Sequence, residues 1–128
     1  MARILIVEDD PQVSAVIAKL LDSHGHRTRV EPNGAAGLIA AHEDLPDLII
    51  MDLSMPILEG QDAITALRQQ RDTSGIPVVV LSARGDDQTL SDAIRAGANV
   101  YLVKPPDPHE LLSVIGRLLA MAADEDPT

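Results

Sequence analysis

The chain has 128 residues, near the modal size of a single domain, long enough to bury a core and too short for a second folded module. Apolar residues make up 45% of it, yet Phe and Trp are absent and Tyr101 is the sole aromatic, so the interior must be built from Val, Ile, Leu, Ala and Met. Ten basic against twenty acidic side chains leave a formal charge of -10, which argues against direct nucleic acid binding and anionic membrane surfaces, and the lack of cysteine excludes disulfides and thiolate metal sites.

Short aliphatic runs alternate with longer amphipathic stretches, the pattern of βα units that feed a parallel sheet. The first run, Ile4 to Val7, follows Met1-Ala2-Arg3 and is too short for a secretory signal. No apolar stretch reaches the ~18 residues of a membrane span, so a cytoplasmic protein without membrane contact is expected. Asp10-Pro11 then supplies a cap and a first-turn proline, and Val13, Val16, Ile17, Leu20 and Leu21 recur at helical spacing until Gly25. Arg27 to Val30 alternates in polarity and is expected at a sheet edge. Asn33-Gly34 opens an alanine-rich second helix, and the near-continuous aliphatic run Asp47 to Met51 predicts a strand buried on both faces.

Gly60 to Gln70 carries the third helix around Ala63, Ile64 and Leu67, and Pro77 to Leu81 the fourth strand. Asp86 to Arg95 forms the fourth helix, ending at Gly97, before a fifth strand from Val100 to Val103. Asp107-Pro108-His109-Glu110 reads as a capping box with a first-turn proline, and Leu111, Leu112, Ile115, Leu118 and Leu119 give the fifth helix its apolar stripe. The acidic tail, Ala123 to Thr128, is expected to be disordered or to begin a linker, which leaves a domain over residues 1–122.

In an open parallel sheet the ligand crevice lies beyond the carboxyl ends of the strands. The residues that follow the runs are Glu8-Asp9-Asp10, Asp52, Ser82 and Lys104-Pro105. Carboxylates gathered there repel one another unless a hard, oxygen-seeking cation sits among them. Magnesium suits this set, with manganese as a substitute. Asp9 and Asp52 would be direct ligands, Glu8 would act through water, and a backbone carbonyl near Ser54 would complete the shell. Asp52 could then attack a phosphoryl group as a carboxylate nucleophile while Lys104 and the Ser82 hydroxyl hold its other oxygens. Each residue also has a plainer reading. Asp10 reads as a helix cap, Ser82 could be one, Lys104 could be a surface lysine, and Tyr101 could simply fill a groove. His24, His26, His42 and His109 have no ligand spacing, and Asp86, Asp87 and Asp92 read as a solvated helix face.

Five blocks in order carry a family resemblance: Val7-Glu8-Asp9-Asp10, Met51-Asp52-Leu53-Ser54-Met55-Pro56 with Gly60, Leu81-Ser82-Ala83, Ala96-Gly97-Ala98, and Tyr101-Leu102-Val103-Lys104-Pro105. From Arg3 to about Ala120 the chain resembles the receiver domain of two-component response regulators, of the CheY-like superfamily. The resemblance implies a flavodoxin-like, doubly wound (βα)5 fold of the α/β class, with a five-stranded parallel sheet in the order 2-1-3-4-5 and two helices on one face and three on the other. It implies magnesium-dependent phosphotransfer to Asp52 from a phosphohistidine on a sensor histidine kinase or histidine phosphotransfer protein, with slow self-hydrolysis as the only turnover. Ser82 and Tyr101 would switch together, altering the face of the fourth helix, fifth strand and fifth helix that meets a downstream protein. The Lys104-Pro105 bond would be cis.

Several positions depart from that family's usual pattern. Glu59 replaces an Asp before Gly60, and Pro106 stands where Phe is usual. Asn99-Val100 lacks the acidic residues of the branch with winged-helix outputs, so its receiver dimer is not expected. Ser54 and Arg84 occupy the positions that tune phosphoryl lifetime. Two rival readings are a degenerate scaffold that binds without phosphorylation and a small aspartyl phosphatase. The second lacks the paired aspartates, one residue apart, of haloacid-dehalogenase-like enzymes. A stand-alone protein and a piece of a longer regulator or hybrid kinase are both compatible with the sequence.

Overall fold

The aliphatic runs are strands because two layers of helices cover them on both faces. A computed structural model of the protein describes residues 2–53, 60–83 and 85–124. In chain order the elements are β1 (Arg3–Val7), α1 (Pro11–Ser23), β2 (Arg27–Glu31), α2 (Gly34–Asp44), β3 (Leu48–Asp52), α3 (Gly60–Gln69), β4 (Val78–Ser82), α4 (Asp87–Ala96), β5 (Val100–Val103) and α5 (Pro108–Asp124). All strand pairs are parallel and the sheet order is β2-β1-β3-β4-β5, as the resemblance implied.

Every residue of β3 and β4 is buried, while β2 has no buried residue and lies at the edge. Side chains alternate across the pleat. Leu5, Val7, Ile49, Met51, Val78 and Val80 meet α2, α3 and α4 on one face. Ile4, Ile6, Leu48, Ile50, Val79 and Leu81 meet α1 and α5 on the other. With Tyr101 as the sole aromatic residue, close approach fills the space. A Cβ at Gly37 would lie 2.8 Å from Val7 Cγ2, so the backbone of α2 rides directly on β1. Truncating Ile49 or Ile50 to Ala in so tight a core should cost about 2–5 kcal/mol.

The helix starts follow the sequence signals. Asp10 Oδ1 accepts from the Gln12 amide at 2.9 Å, Asn33 Oδ1 from Ala36 at 2.9 Å and Asp86 Oδ1 from Thr89 at 2.7 Å. At α5 the cap is Asp107 Oδ1 accepting from His109 at 3.1 Å, rather than the reciprocal box with Glu110 that the sequence suggested. The good helix formers after Leu119 carry α5 to Asp124, two residues into the stretch expected to be disordered. Residues 125–128 lie outside the described residues.

Asp52 and Ser82 are the last residues of β3 and β4, in register with Leu81 and Val103. The Leu53 amide donates to Leu81 O at 3.2 Å and the Lys104 amide to Ser82 O at 2.8 Å, so the ladder fixes the backbone at the rim.

Candidate metal centre at the carboxyl rim of the sheet

Glu8 and Asp9 leave β1 where Asp52 ends β3, and these strands are hydrogen-bonded neighbours. Adjacency in the sheet therefore converts a separation of more than forty residues into proximity. One oxygen from each of Glu8, Asp9 and Asp52 lies within 4.8 Å of the others. Glu8 and Asp52 are buried and Asp9 is exposed, so the cluster opens to solvent on the Asp9 side. Lys104 enters from the end of β5, with Nζ 2.6 Å from Glu8 Oε1 and 3.3 Å from Asp52 Oδ2. The Asp10 amide donates to Glu8 Oε2 at 3.2 Å.

Three carboxylates thus face one ammonium. Burial pushes the Glu8 carboxyl up to about 7, with Asp52 and Asp9 adding to the rise and Lys104 and the Asp10 amide opposing it. Burial works against the Lys104 ammonium, but its contacts with Glu8 and Asp52 outweigh that and raise its pKa. Among the described residues, the rim is short of positive charge. Its donors are hard carboxylate oxygens, open to solvent on one side, and a divalent cation of the magnesium or calcium type fits both the donor chemistry and the charge deficit.

Ser82 is buried at the end of β4, and its carbonyl holds the Lys104 amide. Tyr101, half-buried on β5 and opposite Val80 in register, packs against the α2/α3/α4 face; its hydroxyl is buried with no hydrogen-bond partner among the described residues. The Lys104–Pro105 peptide is cis. Ser54, Met55, Pro56, Glu59 and Arg84 lie outside the described residues. Asp10 caps α1, as its plainer reading had it. The histidines stay away from the cluster. His26 Nδ1 accepts from the Ala2 amide at 3.2 Å, and His42 pairs with Asp72 at 2.9 Å.

Three features escaped the sequence. The Asp10 amide on Glu8 is a backbone contact without any residue signature. Lys104 sits closer to Glu8 than to Asp52, although its place after β5 only indicated a shared rim. Beside it, a cleft of about 460 Å³ opens between α1 and the start of α5, lined by Val13, Ile17, Leu20, Pro106 and Leu111. The semi-exposed apolar residues of α1 were its only signal.

Residues 4–116 match the family model described as the response regulator receiver domain. The chain belongs to the response regulator receiver family. It is 38% identical over 120 residues to protein PilH of Pseudomonas aeruginosa, covering 94% of this chain and 99% of that protein. It is 35% identical over 123 residues to the DNA-binding response regulator MtrA of Mycolicibacterium smegmatis, covering 96% of this chain but only 53% of that protein. Among solved structures it resembles the receiver domain of the sensor histidine kinase PA1611 of Pseudomonas aeruginosa, which holds a magnesium ion in its active site cleft. The TM-score is 0.87 and the identity 31%, over 93% of this chain and 98% of that one. This receiver is thus a phospho-accepting domain of two-component signalling. Receivers meet histidine kinases and downstream effectors and catalyse their own phosphotransfer without being enzymes in the usual sense. Among the described residues, no helix is long and apolar enough to cross a membrane.

Proposed function

We propose that Asp52 is the phosphoryl acceptor, that Glu8, Asp9, Asp52 and the backbone carbonyl of Ser54 hold a magnesium ion, which manganese can replace, and that Lys104 and Ser82 receive the phosphoryl oxygens. The observation that carries this reading is the convergence of Glu8, Asp9 and Asp52 oxygens within 4.8 Å, with the Lys104 ammonium 3.3 Å from Asp52. An Asp52 oxygen attacks phosphorus, the new O–P bond forms as the donor's N–P bond breaks, and the donor histidine leaves with the electron pair. The ion, when bound, neutralises charge on the phosphoryl oxygens. Lys104 holds an oxygen on the other side and, being paired to Glu8 as well, is positioned beforehand. Water attack on the acyl phosphate reverses the state, so the domain turns over only its own modification.

The donor is a phosphohistidine of a sensor kinase or histidine phosphotransfer protein. The acyl phosphate adds charge and acceptor oxygens at the end of β4, drawing the Ser82 hydroxyl towards it and letting Tyr101 rearrange, with the α4–β5–α5 face as the surface presented to a downstream protein. Exposed Leu90, Ile94 and Val103 on that face support protein contact. The net charge of -10 supports a reading without direct nucleic acid or anionic membrane contact. The same reading places the domain in the cytoplasm, with residues 1–122 as the receiver and 123–128 as tail or linker, α5 itself running on to Asp124. Incubation with acetyl phosphate and magnesium, followed by intact-mass measurement, should give one phosphoryl adduct on the wild type and none on Asp52→Asn. An adduct of equal extent on both would overturn the assignment.

A further inference from the structure

β2 is an edge of the sheet, and its backbone groups divide by alternate residues. The Arg27 amide donates to Ala2 O at 2.8 Å and Glu31 O accepts from the Glu8 amide at 3.0 Å, so Arg27, Arg29 and Glu31 turn to β1. In a parallel ladder the residues between them turn their N–H and C=O groups the other way, which leaves those of Thr28 and Val30 facing out from the edge. Val30 is 40% exposed. No proline interrupts the strand, and Pro32 follows it directly.

Charge along this edge is unevenly matched. Arg27, Arg29 and Glu31 share the sheet face of Leu5 and Val7. Glu31, Glu43 and Asp44 all converge on Arg29, at 2.9, 3.0 and 3.0 Å, while Arg3 comes no nearer to Asp44 than 4.0 Å. Arg27 is exposed and has no ion pair among the described residues. Within one chain Arg27 cannot serve Glu31, because the two stand at opposite ends of an extended strand, about 13 Å apart. Charges on an edge usually keep other strands away. Here they read plus, plus, minus from Arg27 to Glu31, so an antiparallel copy of the same strand meets the first with the last.

We propose that β2 docks antiparallel on β2 of a second copy of this chain, with Arg29 on the two-fold axis, Arg27 opposite Glu31 of the second copy at both ends, and Thr28 opposite Val30 between them. The two sheets then run on as one. This register pairs every outward backbone group of Thr28 and Val30, and it lays the exposed Val30 against a β-branched neighbour. Arg29 meets its own copy on the axis, but each is already held by three carboxylates. Slippage is disfavoured in both directions. A shift one way sets Arg27 against Arg29, and a shift the other way brings Pro32, which has no N–H, against Thr28. The contact is confined to one edge strand, so the dimer belongs to the weak, concentration-dependent class. β2 lies on the other side of β1 from Asp52, and the dimer does not rest on the reading of Asp52 as acceptor.

The test is sedimentation velocity on the full chain, diluted from about 1 mM to about 10 µM, with amide exchange at single residues read by NMR in the same samples. The wild type should form a dimer at the upper end of the series. There the Thr28 and Val30 amides should exchange about threefold or more slower than in dilute protein, while those of Arg27 and Arg29, already bonded to β1, stay within about twofold. Arg27→Glu and Glu31→Arg each set like charges across the edge at both ends, and each should be monomeric throughout. Mixed in equal amounts, the two variants restore opposite charges at both ends and should dimerise again. Val30→Pro, which removes an outward amide and no bond to β1, should also be monomeric and serves if Glu31→Arg fails to fold. The wild-type dimer should be equally populated with and without acetyl phosphate and magnesium. A wild type that stays monomeric at about 1 mM, a dimer that survives Arg27→Glu or Val30→Pro, a mixture of folded variants that stays monomeric, or a dimer seen only with acetyl phosphate would each overturn the proposal.

Discussion

The two ends of the sheet hold their charges in opposite ways. At the end where α2 and α3 finish, Arg29, Asp47 and Arg68 have their hydrogen-bonding groups met. Arg29 is paired with Glu31, Glu43 and Asp44 at 2.9 to 3.0 Å, Asp47 Oδ2 accepts from the Arg3 amide at 2.8 Å, and Arg68 uses every donor on carbonyl and amide oxygens. The three carboxylates raise the Arg29 pKa, which says that the group is locked in its charged form. At the carboxyl rim Glu8 and Asp52 share Lys104, with Asp9 beside them, and the buried glutamate is pushed up to about 7. Satisfied donors at one end, and carboxylates crowded around one lysine among the described residues at the other, place a scaffold at the first and chemistry at the second.

Variants sharpen that contrast. The largest effect belongs to Asp52→Asn, which should abolish phosphoryl incorporation in an intact-mass assay while the fold, read by circular dichroism, is retained. Lys104→Met should slow incorporation from acetyl phosphate by about 10²–10³-fold, because a positioned charge aimed at the phosphoryl oxygens is lost. A rate within a factor of about three of wild type would place Lys104 among structural residues. Asp9→Asn should weaken magnesium binding by about tenfold or more in a calorimetric titration, with little change in thermal stability because Asp9 is exposed.

A smaller effect concerns pH. The folded protein keeps a proton on Glu8 between 4.5 and about 7 that the unfolded chain has already released, so metal-free protein should lose stability as pH rises through that window. Glu8→Gln, uncharged throughout, should flatten the dependence. In chelator at pH 8 its unfolding midpoint should lie above wild type by on the order of 5 °C, and at pH 5 the two should nearly coincide. A wild-type midpoint that climbs between pH 5 and 8 would mean that Glu8 is ionised without cost. The smallest change is expected at the satisfied end. Arg29→Met should leave the phosphorylation rate at the wild-type value and lower the midpoint only slightly, since exposed ion pairs contribute little.

Most of the architecture was legible because strands buried on both faces and helices with caps leave separate marks. The runs at Asp47 to Met51 and Pro77 to Leu81 could only be interior strands, and Asp10-Pro11, Asn33 and Asp86 announced helix starts. The strand ends at Asp52 and Ser82 were legible too: the ladder continues through both, since backbone pairing does not depend on side-chain polarity. The acidic cluster could be read from rim positions alone, because sheet order dictates which strand ends are neighbours. The partner preference of Lys104 could not, since a flexible side chain chooses between Glu8 and Asp52 in three dimensions. Arg68 was silent for a related reason. Its acceptors are backbone carbonyls and one amide scattered from Ser74 to Asn99, and carbonyls carry no sequence signal.

The most direct test is peptide-level mapping of the phosphoryl adduct after reaction with acetyl phosphate, in magnesium and in chelator. The adduct should fall on Asp52 alone and disappear when the divalent ion is removed. Modification of a different carboxylate, or labelling of Asp52 at the same rate in chelator, would contradict the assignment of the rim as a metal-assisted phosphoryl site.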